Sequence, residues 1–362
     1  MMMKRILLLL QLLTVLSPGG VISQTDKQSS IKIGFYNVEN LFDPKDDSLK
    51  NDDSFTPEGF NHWTNKKLNR KINNIAKVIL AMGCGEPPAI LAMAEVENRK
   101  VLLKLCKQSP LKKYGYDIVH YESPDKRGID VALIYRPDII RIIHSEAIPI
   151  KFPFDTLSKN RDILFVTARL PNGDSLYLFV NHWTSRYGGF APTIIKRNYY
   201  ATVVKRRCDS LLAVNQDAAI IIVGDFNDYP TDESMQDILK VKNPDDVGGG
   251  GLYNLMLPFL HEENRGTHKR EDFWGCLDQI IVSSALLTPD SACNTIHVKD
   301  GKAHIFCADF MIEPDEKYGG FKLIRTFSGP RYIGGYADHL PVYIDLNIGH
   351  RENINLTPPR SP

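Results

Sequence analysis

Residues 223–230 read VGDFNDYP. They continue the run Ala219, Ile220, Ile221 and Ile222, an apolar stretch that predicts a strand covered on both faces. Such a strand opens at the rim of a sheet, where binding groups commonly sit. Asp and Asn are also ordinary turn formers, and Pro230 cannot continue a ladder. The octapeptide therefore acquires chemical meaning only if other strand ends carry similar groups.

They do. IKIGFYNVEN (31–40) alternates into Asn37, Glu39 and Asn40, and AILAMAEVEN (89–98) runs apolar as far as Glu95. SLYLFVNHWTSR (175–186) ends in Asn181, His182 and Trp183. In LDQIIVSS (277–284) Asp278 precedes an apolar run, and in YADHLPVYIDL (336–346) Asp338 and His339 do the same. RGIDVALIYRP (127–137) adds a further strand that closes at Pro137.

Two segments have helical period instead. Residues 64–83 open at a Thr64 cap and place Leu68, Ile72, Ile75, Ile79 and Leu80 on one face. Residues 193–215 do so with Ile194, Tyr199, Val203, Leu211 and Leu212, leaving Lys and Arg for the solvent side. Strands outnumber helices and recur as hairpin-like neighbours, which predicts two sheets packed face to face with helices outside. No repeat or Pro-rich linker divides the chain. GGGG (248–251) reads as a flexible loop, since neither a helix start nor a Lys follows to cradle phosphate.

The 362 residues are 43% hydrophobic and 24% charged, ordinary values for a large buried core. Residues 1–23 have the layout of a secretory signal: Lys4 and Arg5, an apolar run from Ile6 to Leu16, then small residues up to Ser23. That run is shorter than the roughly 20 residues needed to span a bilayer. The expectation is a soluble exported domain over 24–350, with a disordered tail over 351–362. Removal of Lys4 and Arg5 takes the formal charge from +1 to −1. A near-neutral chain has no global field to gather polyanions, although a local basic rim is still allowed. Six cysteines in an exported chain allow disulfides but show no zinc spacing, so they read as packing or disulfide residues.

Glu95, Asp225, Asn227, Asp278 and Asp338, with His182 and His339, thus gather at strand ends. Carboxylates at one rim repel each other unless a cation neutralises them. An oxygen-rich set without cysteine suits Mg²⁺, Mn²⁺ or Ca²⁺. Imidazoles beside it exchange protons near neutral pH. Metal, acid, base and imidazole together describe hydrolysis of a phosphate ester.

The chain resembles the endonuclease/exonuclease/phosphatase family, whose fold is deoxyribonuclease-I-like. FYNVENLF, LAMAEVEN, RGIDVALIYRP, FVNHWTSR, VGDFNDYP, LDQIIVSS and ADHLPVY carry the resemblance, in the family's order, from about residue 31 to 347. The resemblance implies an α/β fold of two packed, mainly antiparallel sheets flanked by helices, a four-layer sandwich. It implies a divalent metal, most simply Mg²⁺, on Glu95, with Asn37, Glu39 and Asp338 helping to form its site. Asp225 would orient or deprotonate the attacking water, Asn227 would bond a phosphate oxygen, and His339, steered by Asp278, would donate to the phosphoryl group. His182 matches the second histidine of the deoxyribonuclease and sphingomyelinase branches. Arg127 and Arg186 are candidate substrate contacts, the latter as a phosphate clamp, and Trp183 a candidate substrate wall. Segment 299–335 lengthens the connection before Asp338, either as a substrate-selecting loop or as a passive insertion.

The expected activity is that of an exported nuclease acting on DNA or RNA. A lipid or sugar-phosphate phosphodiesterase is the alternative within the same chemistry, and a non-catalytic binding module the alternative outside it. Oligomeric state is not readable from the sequence.

Overall fold

The computed structural model describes residues 29–349 except 188, 247 and 288–294. The expected signal segment, the 351–362 tail and Cys293 lie outside the described residues.

Two seven-stranded sheets form the centre. In the first, β1 (Ser29–Leu41) lies between β2 (Ile90–Val96) and the last strand (Val342–Ile348), with β4 (Asp130–Tyr135) and β3 (Asp117–His120) beyond β2. In the second, β5 (Arg141–Ile148), β6 (Ile163–Arg169), β7 (Ser175–His182) and β8 (Ala219–Asp225) run in order. Strand Asp278–Ser283 continues it, followed by Leu252–Asn254 and Val241–Lys242. Most neighbours are antiparallel; β1 with β2, β7 with β8, and Leu252–Asn254 with Val241–Lys242 are parallel.

The period of two in the strands separates three cores. Phe35, Ala92, Leu133, Leu178, Ile221 and Ile280 pack between the sheets. Tyr36, Met93 and Ile134 face outward onto α1 (Asn65–Met82) and α2 (Arg99–Gln108). Phe179, Ile220 and Ile222 meet α3 (Phe190–Val214) on the other side. The result is the four-layer sandwich expected, with β8 covered on both faces.

α1 begins where Thr64 accepts a hydrogen bond from the Lys67 amide at 3.4 Å. α3 starts three residues earlier than its periodicity suggests, because Pro192 is tolerated in a first turn. Its buried stripe is also rotated: Arg197, Tyr200, Ala201, Val204 and Cys208 point inward, and Tyr199, Val203, Leu211 and Leu212 only flank the core. Small and charged residues hold the centre of that face, which a count of apolar residues does not reveal. Lys71 and Arg197, expected on the solvent side, are 1% and 0% exposed.

Segment 299–335 folds into two small hairpins, Ile312–Pro314 with Phe321–Leu323 and Phe327–Ser328 with Arg331–Tyr332. It is fastened to α1, where Lys71 donates to Thr326 Oγ1 and Asn74 to the carbonyls of Gly334 and Gly335. The five described cysteines are free thiols, so no disulfide joins described residues. No described helix is long and apolar enough to cross a membrane.

β7 and β8 approach so closely at Asn181 and Gly224 that a β-carbon on Gly224 would lie 2.3 Å from the Asn181 carbonyl oxygen. Gly224→Ala should therefore destabilise the protein by about 1–3 kcal/mol. Thermal unfolding checks this: a melting temperature lowered by several degrees is expected, and an unchanged one contradicts the packing described.

Candidate active site

Strand register assembles the second sheet's half of the site. His182 pairs with Asp225 across the parallel β7–β8 ladder, and Asp278 pairs with Asp225 across the antiparallel one. Three titratable side chains therefore stand at one level on three adjacent strands.

The first sheet reaches the same rim through backbone irregularities. The β1–β2 register shifts between Asn37 and Leu41, and the β2–β4 register between Ala94 and Val96. Glu39, Asn40 and Glu95 there take φ of 52°, 55° and 62°, and Asn227 beyond β8 takes 52°. Left-handed backbone at non-glycine residues costs of order 1–3 kcal/mol each and gathers at functional sites. Bulges of this kind re-aim side chains that a regular strand would send elsewhere.

Asn37 Nδ2 donates to Asp225 Oδ2 at 3.0 Å, and its Oδ1 accepts from the Glu39 amide. His182 Nε2 lies 3.6 Å from Asp225 Oδ2 and 3.9 Å from Glu95 Oε1. Glu95 Oε2 accepts from the Asn40 amide, and Arg127 approaches Oε1 at 3.8 Å. His339 Nδ1 contacts Asp278 Oδ2 at 2.7 Å, which leaves Nε2 facing Asp225 Oδ2 at 3.8 Å and Asp338 Oδ1 at 3.9 Å. Asn227 hydrogen-bonds through its backbone amide to Asp225 Oδ1 and through its side-chain amide to the Trp183 carbonyl.

Burial raises the Asp225 carboxyl to about 7; His339 opposes that shift and Asp278 adds to it. For His339, burial works against the imidazolium, but the charges of Asp278 and Asp225 outweigh it and hold its pKa well above the usual histidine value. Burial, with Arg161, Arg127 and His339 nearby, pushes His182 well below that value. The surroundings thus favour the imidazolium at His339 and the neutral ring at His182.

The acids on the Asp338 side are neutralised by groups the sequence did not single out. Arg325 donates from Nε to Glu39 Oε1 at 3.0 Å and stands 2.8 Å from Asp338 Oδ2 through its terminal nitrogen. The Thr326 amide donates to Glu39 Oε2, and Lys71 lies 3.6 Å from the same oxygen. Glu39, expected to help hold a metal, has both oxygens taken by protein donors. It anchors the inserted segment instead of offering an open ligand. Glu95 and Asp338 each keep one carboxylate oxygen outside these bonds, donors suited to a hard divalent ion, whereas Asn37 Oδ1 already accepts from the Glu39 amide.

Two other expectations are corrected. Trp183 is fully buried, packed edge-on to Phe226, with its Nε1 on Asn181 Oδ1 at 3.0 Å. It is no substrate wall; its carbonyl positions Asn227. Arg186, in the loop after β7, reaches the loop after β8, donating to the Asn227 carbonyl, Asp228 and Asp232. It braces the turn after β8 and does not present a phosphate clamp. Arg161 was missed and is buried, holding the carbonyls of His182 and Trp183 and the Asp125 carboxylate. Lys71 was detectable, lying three residues after Leu68 and four before Ile75 on the apolar stripe of α1. Arg161 and Arg325 carry no such periodic signal.

A sandwich of two mixed sheets with carboxylates and histidines converging at one rim defines a metal-dependent phosphoric ester hydrolase. A family model described as the endonuclease/exonuclease/phosphatase family matches residues 32–348, and the chain belongs to that family. Its members are metal-dependent phosphoric ester hydrolases.

Solved structures agree on the fold. A family protein from Bacteroides thetaiotaomicron is 17% identical, with a TM-score of 0.55 over 91% of this chain and 98% of that one. A mannosyl-6-phosphatase of the same organism is 17% identical, with 0.53 over 87% and 99%. TDP2 from D. rerio, solved with a single-strand DNA product, is 18% identical, with 0.53 over 88% and 99%. No curated protein matches the chain.

Trp183→Phe should leave the buried Asn181 oxygen unpaired and cost about 1–3 kcal/mol of stability while KM for any active substrate stays unchanged. Denaturant unfolding and steady-state kinetics on the same preparation check this; a raised KM with unaltered stability would restore the substrate-wall role.

Proposed function

We propose that the protein is an exported phosphodiesterase, dependent on Mg²⁺ or a similar ion, that cleaves nucleic acid by direct attack of water on phosphorus. The observation that carries this reading is the pairing of a buried carboxyl at about 7, Asp225, with the imidazolium of His339 across 3.8 Å. A base works best when its pKa lies near the operating pH, and a fixed cation stabilises charge developing on phosphoryl oxygens.

Glu95 would hold the ion, with Asp338 beside it; when bound, it supplies charge neutralisation at the phosphoryl oxygens. Asn37 holds Asp225 in position to accept the proton of the attacking water. Asp278 fixes the His339 ring through Nδ1, so that Nε2 donates to a phosphoryl oxygen or to the departing oxygen. The Asn227 amide serves a second phosphoryl oxygen, and neutral His182 supports Asp225. Arg127 and Arg325, with side chains 49% and 50% exposed, stand where an anionic substrate would enter.

Chelator-sensitive cleavage of plasmid DNA or RNA, falling steeply with salt, is the expected result. Turnover of a sugar phosphate or a sphingomyelin dispersion alone would move the substrate to those classes, and none on any substrate would favour a binding module. Asp225→Asn should lower the rate by at least about a hundredfold with stability retained. Near wild-type rates on every substrate would remove Asp225 from its role.

pH gives a separate check. Protonated Asp225 cannot take a proton from water, so kcat/KM should fall as pH drops below about 7. A flat profile down to about pH 5 would contradict the assignment of Asp225 as base.

A further inference from the structure

β3 ends at His120 and β4 begins at Asp130, with the nine-residue connection 121–129 between them. His120 Nε2 stands 3.3 Å from Asp130 Oδ2, and their side chains are 2% and 1% exposed. Neither atom has a hydrogen-bond partner. The other Asp130 oxygen is satisfied, accepting from the Ser123 amide at 2.9 Å. A buried donor or acceptor without a partner costs on the order of 1–3 kcal/mol, so two facing each other call for an explanation.

Glu122 completes the group: one ligand atom from each of His120, Glu122 and Asp130 lies within 4.8 Å of the others. Lys50 is the neighbouring cation, but its ammonium donates to the carbonyls of Ser123 and Asp125 at 2.8 and 3.1 Å. Two carboxylates and an imidazole nitrogen converge on one point, an arrangement met by a shared proton, by a protonated His120 paired with Asp130, or by a metal ion.

The spacing fits an ion. Ligands about 2.0–2.2 Å from a tetrahedral Zn²⁺ stand roughly 3.3–3.6 Å apart, which is the separation of His120 Nε2 and Asp130 Oδ2. One imidazole with two carboxylates is a donor set for Zn²⁺ and its neighbours, not for Mg²⁺. Glu122 is exposed, so a fourth position can hold water.

We propose that His120, Glu122 and Asp130 form a divalent transition-metal site, separate from the ion on Glu95, that ties together the two ends of the 121–129 connection. That connection carries Arg127 to within 3.8 Å of Glu95. An ion at its base would therefore fix a substrate-facing arginine without taking part in the reaction. Its binding does not depend on the substrate assigned above.

The test uses the full chain carrying Glu95→Gln, which weakens the catalytic site. After loading with Zn²⁺ and gel filtration, metal content by plasma mass spectrometry should fall by about one equivalent per chain when His120→Gln is added. The His120 ring nitrogen of the Glu95→Gln protein should shift in ¹⁵N NMR on adding Zn²⁺, a reading that needs no change at His120. Circular dichroism verifies that the double variant is folded. Equal Zn²⁺ content with and without His120→Gln, or a His120 resonance unmoved by Zn²⁺, overturns the site and leaves a proton shared between Glu122 and Asp130.

Discussion

Asp225 and Asp278 stand directly opposite each other at the ends of two central strands, both almost completely buried. Two carboxylates in that relation repel, and burial makes the repulsion stronger than it would be in water. The fold reconciles them through His339, which bonds one acid through Nδ1 and faces the other through Nε2. The two acids favour the imidazolium of His339, while burial raises the Asp225 carboxyl and the His339 contact offsets part of that rise. The reactive character of the rim follows first from burying Asp225 and then from placing Asp278 and His339 beside it.

The same constraint recurs around the site. Glu39 and Asp338 are offset by Arg325 and Lys71, and Asp228 by Arg197 and Arg186. Removing one member of a buried pair is far more damaging than replacing both by apolar groups. These cations therefore lock the loops that follow β1 and β8 into place. The inserted segment before Asp338 is part of this arrangement: it delivers Arg325 and the Thr326 amide to Glu39, and α1 answers with Lys71. What reads in the sequence as a lengthened connection is in the structure a brace for the acidic side of the rim.

The sandwich was legible because strands such as 219–223 are apolar on both faces and end abruptly in acids and amides. The residues that converge were legible for the same reason, since each closes or opens an apolar run. Less visible were the partners. Arg161 and Arg325 lie in irregular segments whose direction no periodicity reveals, so their contacts depend wholly on tertiary placement. Trp183 was misread because it follows His182 immediately, and side chains on successive strand residues point to opposite faces. Its neighbour enters the site while the indole enters the core. Arg186 was misread because a surface arginine next to a catalytic loop serves equally well to hold that loop.

The stereochemical course at phosphorus tests the central claim most directly. A phosphorothioate diester of defined configuration, hydrolysed in ¹⁸O-labelled water, reports whether one displacement or two occur. A single in-line attack by water oriented on Asp225 predicts inversion. Retention would require a covalent intermediate on the protein and would contradict the roles given to Asp225 and His339.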